Sequence, residues 1–197
     1  MSTRIPPLLE PYLSLPPETS LIVMTSVLGA STNWLVLRYL HTLLNPPKSH
    51  HTSSSDDDNE PISVLLVSFL RDYAFWRDSA SRVGVDLESA GRRGKFGFVD
   101  GLGMFLSPSS AAEGSRAEAA PWRTGLRGHR LEDVRRTLDG AVEGLRVKGG
   151  KVVLVIDQLD LLPATAGEME EGEDGFGERL RDVLLELREV RRRFATY

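Results

Sequence analysis

A three-layer α/β domain, with helices on both faces of a mostly parallel sheet, is the fold class this sequence predicts. Three observations predict it. Strand candidates at 21–27, 62–70, 95–102 and 151–162 are apolar almost throughout, as strands covered on both faces must be. Helix candidates with apolar residues at helical spacing alternate with them. The chain has 197 residues, 41% of them apolar, which suits one domain spanning 1–197 with a real core.

The elements follow in order. "MSTRIPPLLEPYLSLPPETS" carries five prolines within twelve residues, too many for the apolar core of a signal peptide. "LIVMTSV" (21–27) is the first strand candidate, and "NWLVLRYLHTLL" (33–44) the first helix, stopped by "NPP" because proline lacks the helical donor. Residues 46–61, containing "KSHHTSSSDDDNE", bury too little apolar surface to offset ordering entropy and are expected to form a flexible polar loop. "ISVLLVSFL" (62–70) is the second strand. "RDYAFWRDSASRVG" (71–84) is a helix with Tyr73, Trp76, Ala80 and Val83 on one face, ended by Gly84. "KFGFVDGL" (95–102) is a short third strand, and the Ser-, Ala- and Gly-rich 107–128 is expected to be irregular. Leu131, Val134, Leu138, Ala141, Val142 and Leu145 mark an amphipathic helix that "GG" at 149–150 ends. "KVVLVIDQLDLL" (151–162) is the fourth strand and its exit, 163–177 an acidic loop, and Leu180 to Phe194 the last helix. A sheet of four strands would leave its last edge exposed, so either a partner covers that edge or the domain is shortened at its C-terminus.

Composition narrows the function classes. A net charge of −4 gives no wholly basic surface, although a local patch stays open. With no cysteine, disulfides, iron–sulfur clusters and cysteine-ligated zinc are excluded. No apolar run approaches the roughly 20 residues that span a bilayer, so the expectation is a soluble, intracellular protein without a membrane partner.

The segment "SVLGASTNW" (26–34) lies where a phosphate-binding loop would, between a strand and a helix. Such a loop reads G-x-x-x-x-G-K-[ST], with backbone N–H groups around the phosphates, a lysine on the β and γ groups and a hydroxyl on magnesium. In the matching register those four positions are Ser26, Ser31, Thr32 and Asn33, and all four differ; Gly29 remains inside the loop. Thr32 brings no charge to an anionic ligand, and Asn33 offers a neutral amide to a tight octahedral site. Ser26 and Ser31 carry a Cβ where the backbone must turn sharply. Capping of a helix by Ser31 or Thr32 is the better reading. Asp157, ending "VVLVID", sits where a second nucleotide motif holds its magnesium-binding acid, yet it has no lysine or hydroxyl to act with.

The remaining constellations are weaker. His50 and His51 fall in the polar loop without a third ligand, and neither His41 nor His129 completes a Ser–His–Asp set. Arg92, Arg93 and Lys95, and again Arg191 to Arg193, form modest basic clusters that suit either RNA phosphate or a solvated face. The helix around Trp34 is apolar nearly all round, broken only by Arg38, His41 and Thr42. Aromatics and arginines combine at Arg71, Tyr73, Trp76 and Arg77, a mixture enriched at protein interfaces. Trp34, Arg38, Arg71, Tyr73, Trp76 and Arg77 are therefore the candidate interface, with a core position for Trp76 as the competing reading.

"LGASTNWLVLR" and "SFLRDYAFWR", with "GKFGFVDGL" and "VVLVIDQLDLL", closely resemble fungal members of the Elongator complex protein 6 family, over most of the chain up to about residue 162. The resemblance implies a RecA-like fold whose nucleotide motifs are degenerate: a Walker A remnant at Ser26, Gly29, Ser31, Thr32 and Asn33, and a Walker B remnant at Asp157. It implies no catalytic residue, no metal and no cofactor, with ATP only at subunit boundaries. The implied partners are the fourth and fifth Elongator subunits in a heterohexameric ring with two copies of each, the remaining Elongator subunits, and tRNA bound through the ring. The implied role is support of tRNA wobble-uridine (U34) modification, part of tRNA processing, in the cytoplasm and also the nucleus. RecA-like domains usually continue for several strands after "VVLVID", so the resemblance also implies a shortened C-terminus. The alternative from the loop alone is a stand-alone P-loop-like NTPase or nucleotide-dependent kinase.

Overall fold

The computed structural model describes residues 7–8, 10–13, 20–27, 29–45, 61–106, 120–126, 128, 130–146, 150–165 and 173–189. Its elements are α1 (Glu10–Leu13), α2 (Asn33–Leu44), β1 (Ile62–Ser68), α3 (Tyr73–Arg82), α4 (Leu87–Arg92), β2 (Phe96–Asp100), α5 (Gly103–Leu106), β3 (Arg123–Gly125), α6 (Leu131–Arg146), β4 (Lys151–Asp157), α7 (Leu161–Thr165) and α8 (Glu173–Glu189). The four strands form one parallel sheet in the order β3-β2-β1-β4.

β1 is central because its whole length pairs with β4 and most of it with β2, and its apolar run is buried on both faces. Alternation along it divides the core. Val64 and Leu66 pack with Val36 and Leu40 of α2, Tyr73 and Trp76 of α3, and Leu87 and Ala90 of α4. Leu65 and Val67 face Leu131, Val134, Leu138 and Leu145 of α6 and Leu180 of α8. Three layers result, as expected. Arg135 of α6 joins α8 through an ion pair with Glu186 at 2.7 Å.

Local chemistry sets the helix ends. Asp72 and Asp86 cap α3 and α4, each carboxylate accepting the N–H three residues on at 2.9 Å. Gly84, at φ 85, makes the turn between them. Gly150, at φ 111, starts β4 so close to β1 that a Cβ would collide with the Pro61 carbonyl, which accepts the Lys151 N–H. Leu13 of α1 is buried, and the Tyr39 hydroxyl donates to the Tyr12 carbonyl at 2.8 Å.

Several expectations are corrected. Residues 21–27 form no strand: apolar β-branched composition favours a strand only where a ladder exists, and this segment has just an isolated bridge from Val27 to Ala30. Within 107–128, residues 123–125 form β3, a strand made by pairing with β2 rather than by an apolar run. Both ends of the expected acidic loop 163–177 are helical. α7 tolerates Pro163 in its first turn, where no donor is lost. Helix α4 was not expected at all; Asp86, the cap that opens "DLES" (86–89), is its start signal. Residues 46–60 of the expected polar loop, most of 107–128 and the end of the last helix lie outside the described residues.

Candidate functional site

Open parallel sheets bind ligands at the C-terminal strand ends, where successive connections leave in opposite directions. Here the chain runs outward from β1 to β2 to β3 and then returns to the other side of β1 as β4, so the switch point lies between β1 and β4. The register places three polar residues in a row across that end: Asp100 of β2, Ser68 of β1 and Asp157 of β4.

All three are occupied. Ser68 donates its hydroxyl to Asp157 Oδ2 at 2.9 Å and accepts the Arg71 N–H at 3.1 Å. Its carbonyl accepts the Gly101 N–H at 2.8 Å, and the Phe69 N–H reaches the Asp157 carbonyl at 3.2 Å. Asp100 turns back onto its own strand exit, accepting the Gly103 N–H at 3.0 Å. Gly101 belongs here because a Cβ would strike the Phe69 ring. After Asp157 the chain escapes through Gln158 in the left-handed region, φ 56.

Ser68 and Asp157 are both buried. Burial pushes the Asp157 carboxyl above its ordinary value, with Asp160 adding to the rise and the Ser68 hydroxyl and the Arg71 charge opposing it. A serine fully out of solvent is no nucleophile for an outside substrate, and among the described residues no imidazole is hydrogen-bonded to it. Among the described residues no group of three or more His, Asp or Glu is placed to hold a metal ion. The pair is a hydrogen-bonded seal between β1 and β4.

The turn that precedes α2 is held by its own bonds. Gly29 at φ 86 lets the Ala30 N–H close onto the Val27 carbonyl at 2.9 Å. Thr32 is the N-cap residue of α2, yet its side chain makes no capping bond; its carbonyl accepts the Leu35 and Val36 N–H groups. Ser31 supplies the hydroxyl instead, accepting the Asn33 N–H at 3.1 Å. Ser26 is exposed. Among the described residues no hydrogen bond or ion pair links Ser26, Gly29, Ser31, Thr32 or Asn33 to Asp157.

The six candidate interface residues divide. Trp34 is 57% exposed. Arg38 is half-buried, Arg71 lies over the Phe75 ring with 5.0 Å to its centroid, and Arg77 pairs at the surface with Asp78 at 2.9 Å. Tyr73 and Trp76 lie in the core, which for Trp76 is the competing reading. Trp76 has 0% exposure, and Tyr73 packs edge-on to Trp122, donates to Glu88 at 3.1 Å and carries the Arg123 guanidinium 4.2 Å above its ring. Burial and Glu88 raise the Tyr73 phenol above its usual range. Of the basic clusters, Arg93 bonds the Ser89 hydroxyl at 2.6 Å within its own helix region.

Sequence reasoning missed Ser68 and Asp100. The signal was present: each long strand ends an apolar run on a polar residue, at 68, 100 and 157. A separate cleft of about 830 Å³ opens around the start of β2, between α4 and α6, with Trp122 and the Gly140 and Gly144 backbone among its walls; it touches neither the seal nor the turn. Comparison of the chain with family models, curated proteins and solved structures finds no match.

Proposed function

We propose that this chain is a noncatalytic structural subunit of the Elongator complex, with a RecA-like fold and a degenerate phosphate loop. In this reading it joins the fourth and fifth Elongator subunits in a heterohexameric ring that binds tRNA and supports wobble-uridine modification, in the cytoplasm and the nucleus. The observation that carries the noncatalytic part is the state of the strand ends. Asp157, at a strand end where a nucleotide enzyme would place its magnesium ligand, is buried and accepts the Ser68 hydroxyl. Thr32 and Asn33, in place of lysine and hydroxyl, bring no charge to a triphosphate. The assembly part rests on the resemblance carried by "LGASTNWLVLR" and "SFLRDYAFWR", and on the exposed Trp34 within the first of them.

Recovery of the tagged full chain from fungal cells tests it. Two RecA-like proteins are expected to copurify in equal amounts, and a clean monomer contradicts the reading. The competing reading, a stand-alone P-loop-like NTPase, draws on the position of Asp157 at the switch point. It requires tight ATP–Mg²⁺ binding by the isolated chain, lost on substitution of Thr32.

A further inference from the structure

Glycine inside a helix weakens it, and is kept where a neighbour comes too close for a side chain. Helix α6 holds two, Gly140 and Gly144, one turn apart on the wall of the cleft beside β2. Among the described residues, none comes within 4 Å of where a Cβ would stand at either position. No contact within the chain therefore requires them. We propose that the cleft is a nucleotide site: the α6 backbone and the Trp122 ring hold the two faces of an amino-bearing base such as adenine, and Arg92 takes its phosphate.

The cleft has a cause in the sheet. β3 pairs only with Phe98–Asp100, so no strand covers the outer side of Phe96 and Gly97. Helices α4 and α6 pack on opposite faces of the sheet and leave a gap of about 830 Å³ at that place. This is the volume of an ordinary small-molecule pocket.

Trp122 is fixed before any ligand arrives. Its ring lies against Gly91 of α4, where a Cβ would overlap it. It meets the Tyr73 and Phe96 rings at 5.4 Å and 6.0 Å between centroids. The indole is half-buried and lines the cleft, a rigid flat surface of the kind on which bases stack.

Charge points to an anion. Four charged side chains line the cleft. Arg136 pairs with Asp133 at 3.2 Å, and Glu88 accepts the Tyr73 hydroxyl at 3.1 Å. Arg92 is exposed and makes no ion pair among the described residues. The Glu88 carboxylate and the Thr137 hydroxyl, whose proton goes to the Asp133 carbonyl at 2.8 Å, act as acceptors that suit the exocyclic amine of a base. The site is complete within one chain and does not rest on the assembly proposed above. A free nucleotide and an unpaired nucleotide of an RNA strand offer the same chemistry.

Titration of the full chain with adenosine monophosphate, followed by tryptophan fluorescence, tests the site. Quenching with a dissociation constant below about 1 mM is expected, and Trp122→Phe is expected to remove it. Gly144→Leu places a good helix former in the open trough, and should weaken binding at least about tenfold while raising the melting temperature. Arg92→Gln should weaken adenosine monophosphate at least about fivefold and leave adenosine, which lacks the phosphate, unchanged. A single-stranded adenosine hexaribonucleotide that binds at least about tenfold tighter than the monophosphate identifies an RNA strand as the ligand, and equal or weaker binding identifies the free nucleotide. Absence of binding by both, a quench that survives Trp122→Phe, undiminished binding in Gly144→Leu, or equal losses for adenosine and its monophosphate in Arg92→Gln overturns the proposal. So does a lowered melting temperature in Gly144→Leu, because the trough would then be filled by the chain itself.

Discussion

Removing the Ser68 hydroxyl takes from a buried carboxylate its only side-chain donor among the described residues and orphans the Arg71 N–H. Hydrogen bonds to charged groups contribute about 1.5–3 kcal/mol, and a buried unsatisfied N–H costs about 1–3 kcal/mol more unless water reaches it. Arg71 is exposed, so solvent recovers most of the second cost. Ser68→Ala is therefore expected to lower stability by about 2–3 kcal/mol at pH 7. The pH dependence carries the mechanism. Asp157 holds its proton more tightly folded than unfolded, so its contribution is most favourable below the ordinary carboxylate value of 3.8 and declines as pH rises through the raised folded value. Ser68 opposes that rise, so its loss lifts the folded value further, and the gap between wild type and Ser68→Ala widens with increasing pH across that window. Asp157→Asn removes the decline altogether. Urea unfolding at a series of pH values, with constant m-values as the two-state check, reads all three curves. A gap independent of pH, or an undiminished decline in Asp157→Asn, refutes the buried-seal reasoning.

Three further outcomes are expected. Trp76→Ala should cost about 3–5 kcal/mol in urea unfolding, because it empties a fully buried site, whereas Trp34→Asp should change stability by less than about 0.5 kcal/mol and instead abolish copurification of partners. Gly150→Ala should destabilise by more than about 2 kcal/mol, combining left-handed strain with the Pro61 collision, while Gly140→Ala, open to space within α6, should stabilise by about 0.5–1 kcal/mol; paired melting curves compare them. Thr32→Lys should leave ATP hydrolysis undetectable in a phosphate-release assay, since Asp157 stays engaged with Ser68.

β1 and β2 were legible because a near-continuous apolar run is buried on both faces inside a parallel sheet, whereas β4 carries such a run as the edge strand of the described sheet, half-buried along 151–156. The same reasoning misplaced 21–27. "LIVMTSV" matches "ISVLLVS" in composition, but composition cannot report whether a ladder neighbour is present. β3 was invisible for the opposite reason: Arg123–Gly125 has no apolar pattern and is a strand only through its register with Phe98, Val99 and Asp100. Trp34 and Trp76 illustrate the limit for the site. Trp34 sits in a nearly all-apolar helix and Trp76 in an amphipathic one, and which one turned outward depended on packing against residues far along the chain. Asp157 was found by its place at a strand end, while its partner Ser68 lies 89 residues away, a pairing fixed by topology rather than by local pattern.

The most direct measurement is the native mass of the full chain coexpressed with the fourth and fifth Elongator subunits of a fungus. A single species containing two copies of each of the three chains is the predicted result. A complex of the other two subunits alone, with this chain left as a free monomer, would contradict it.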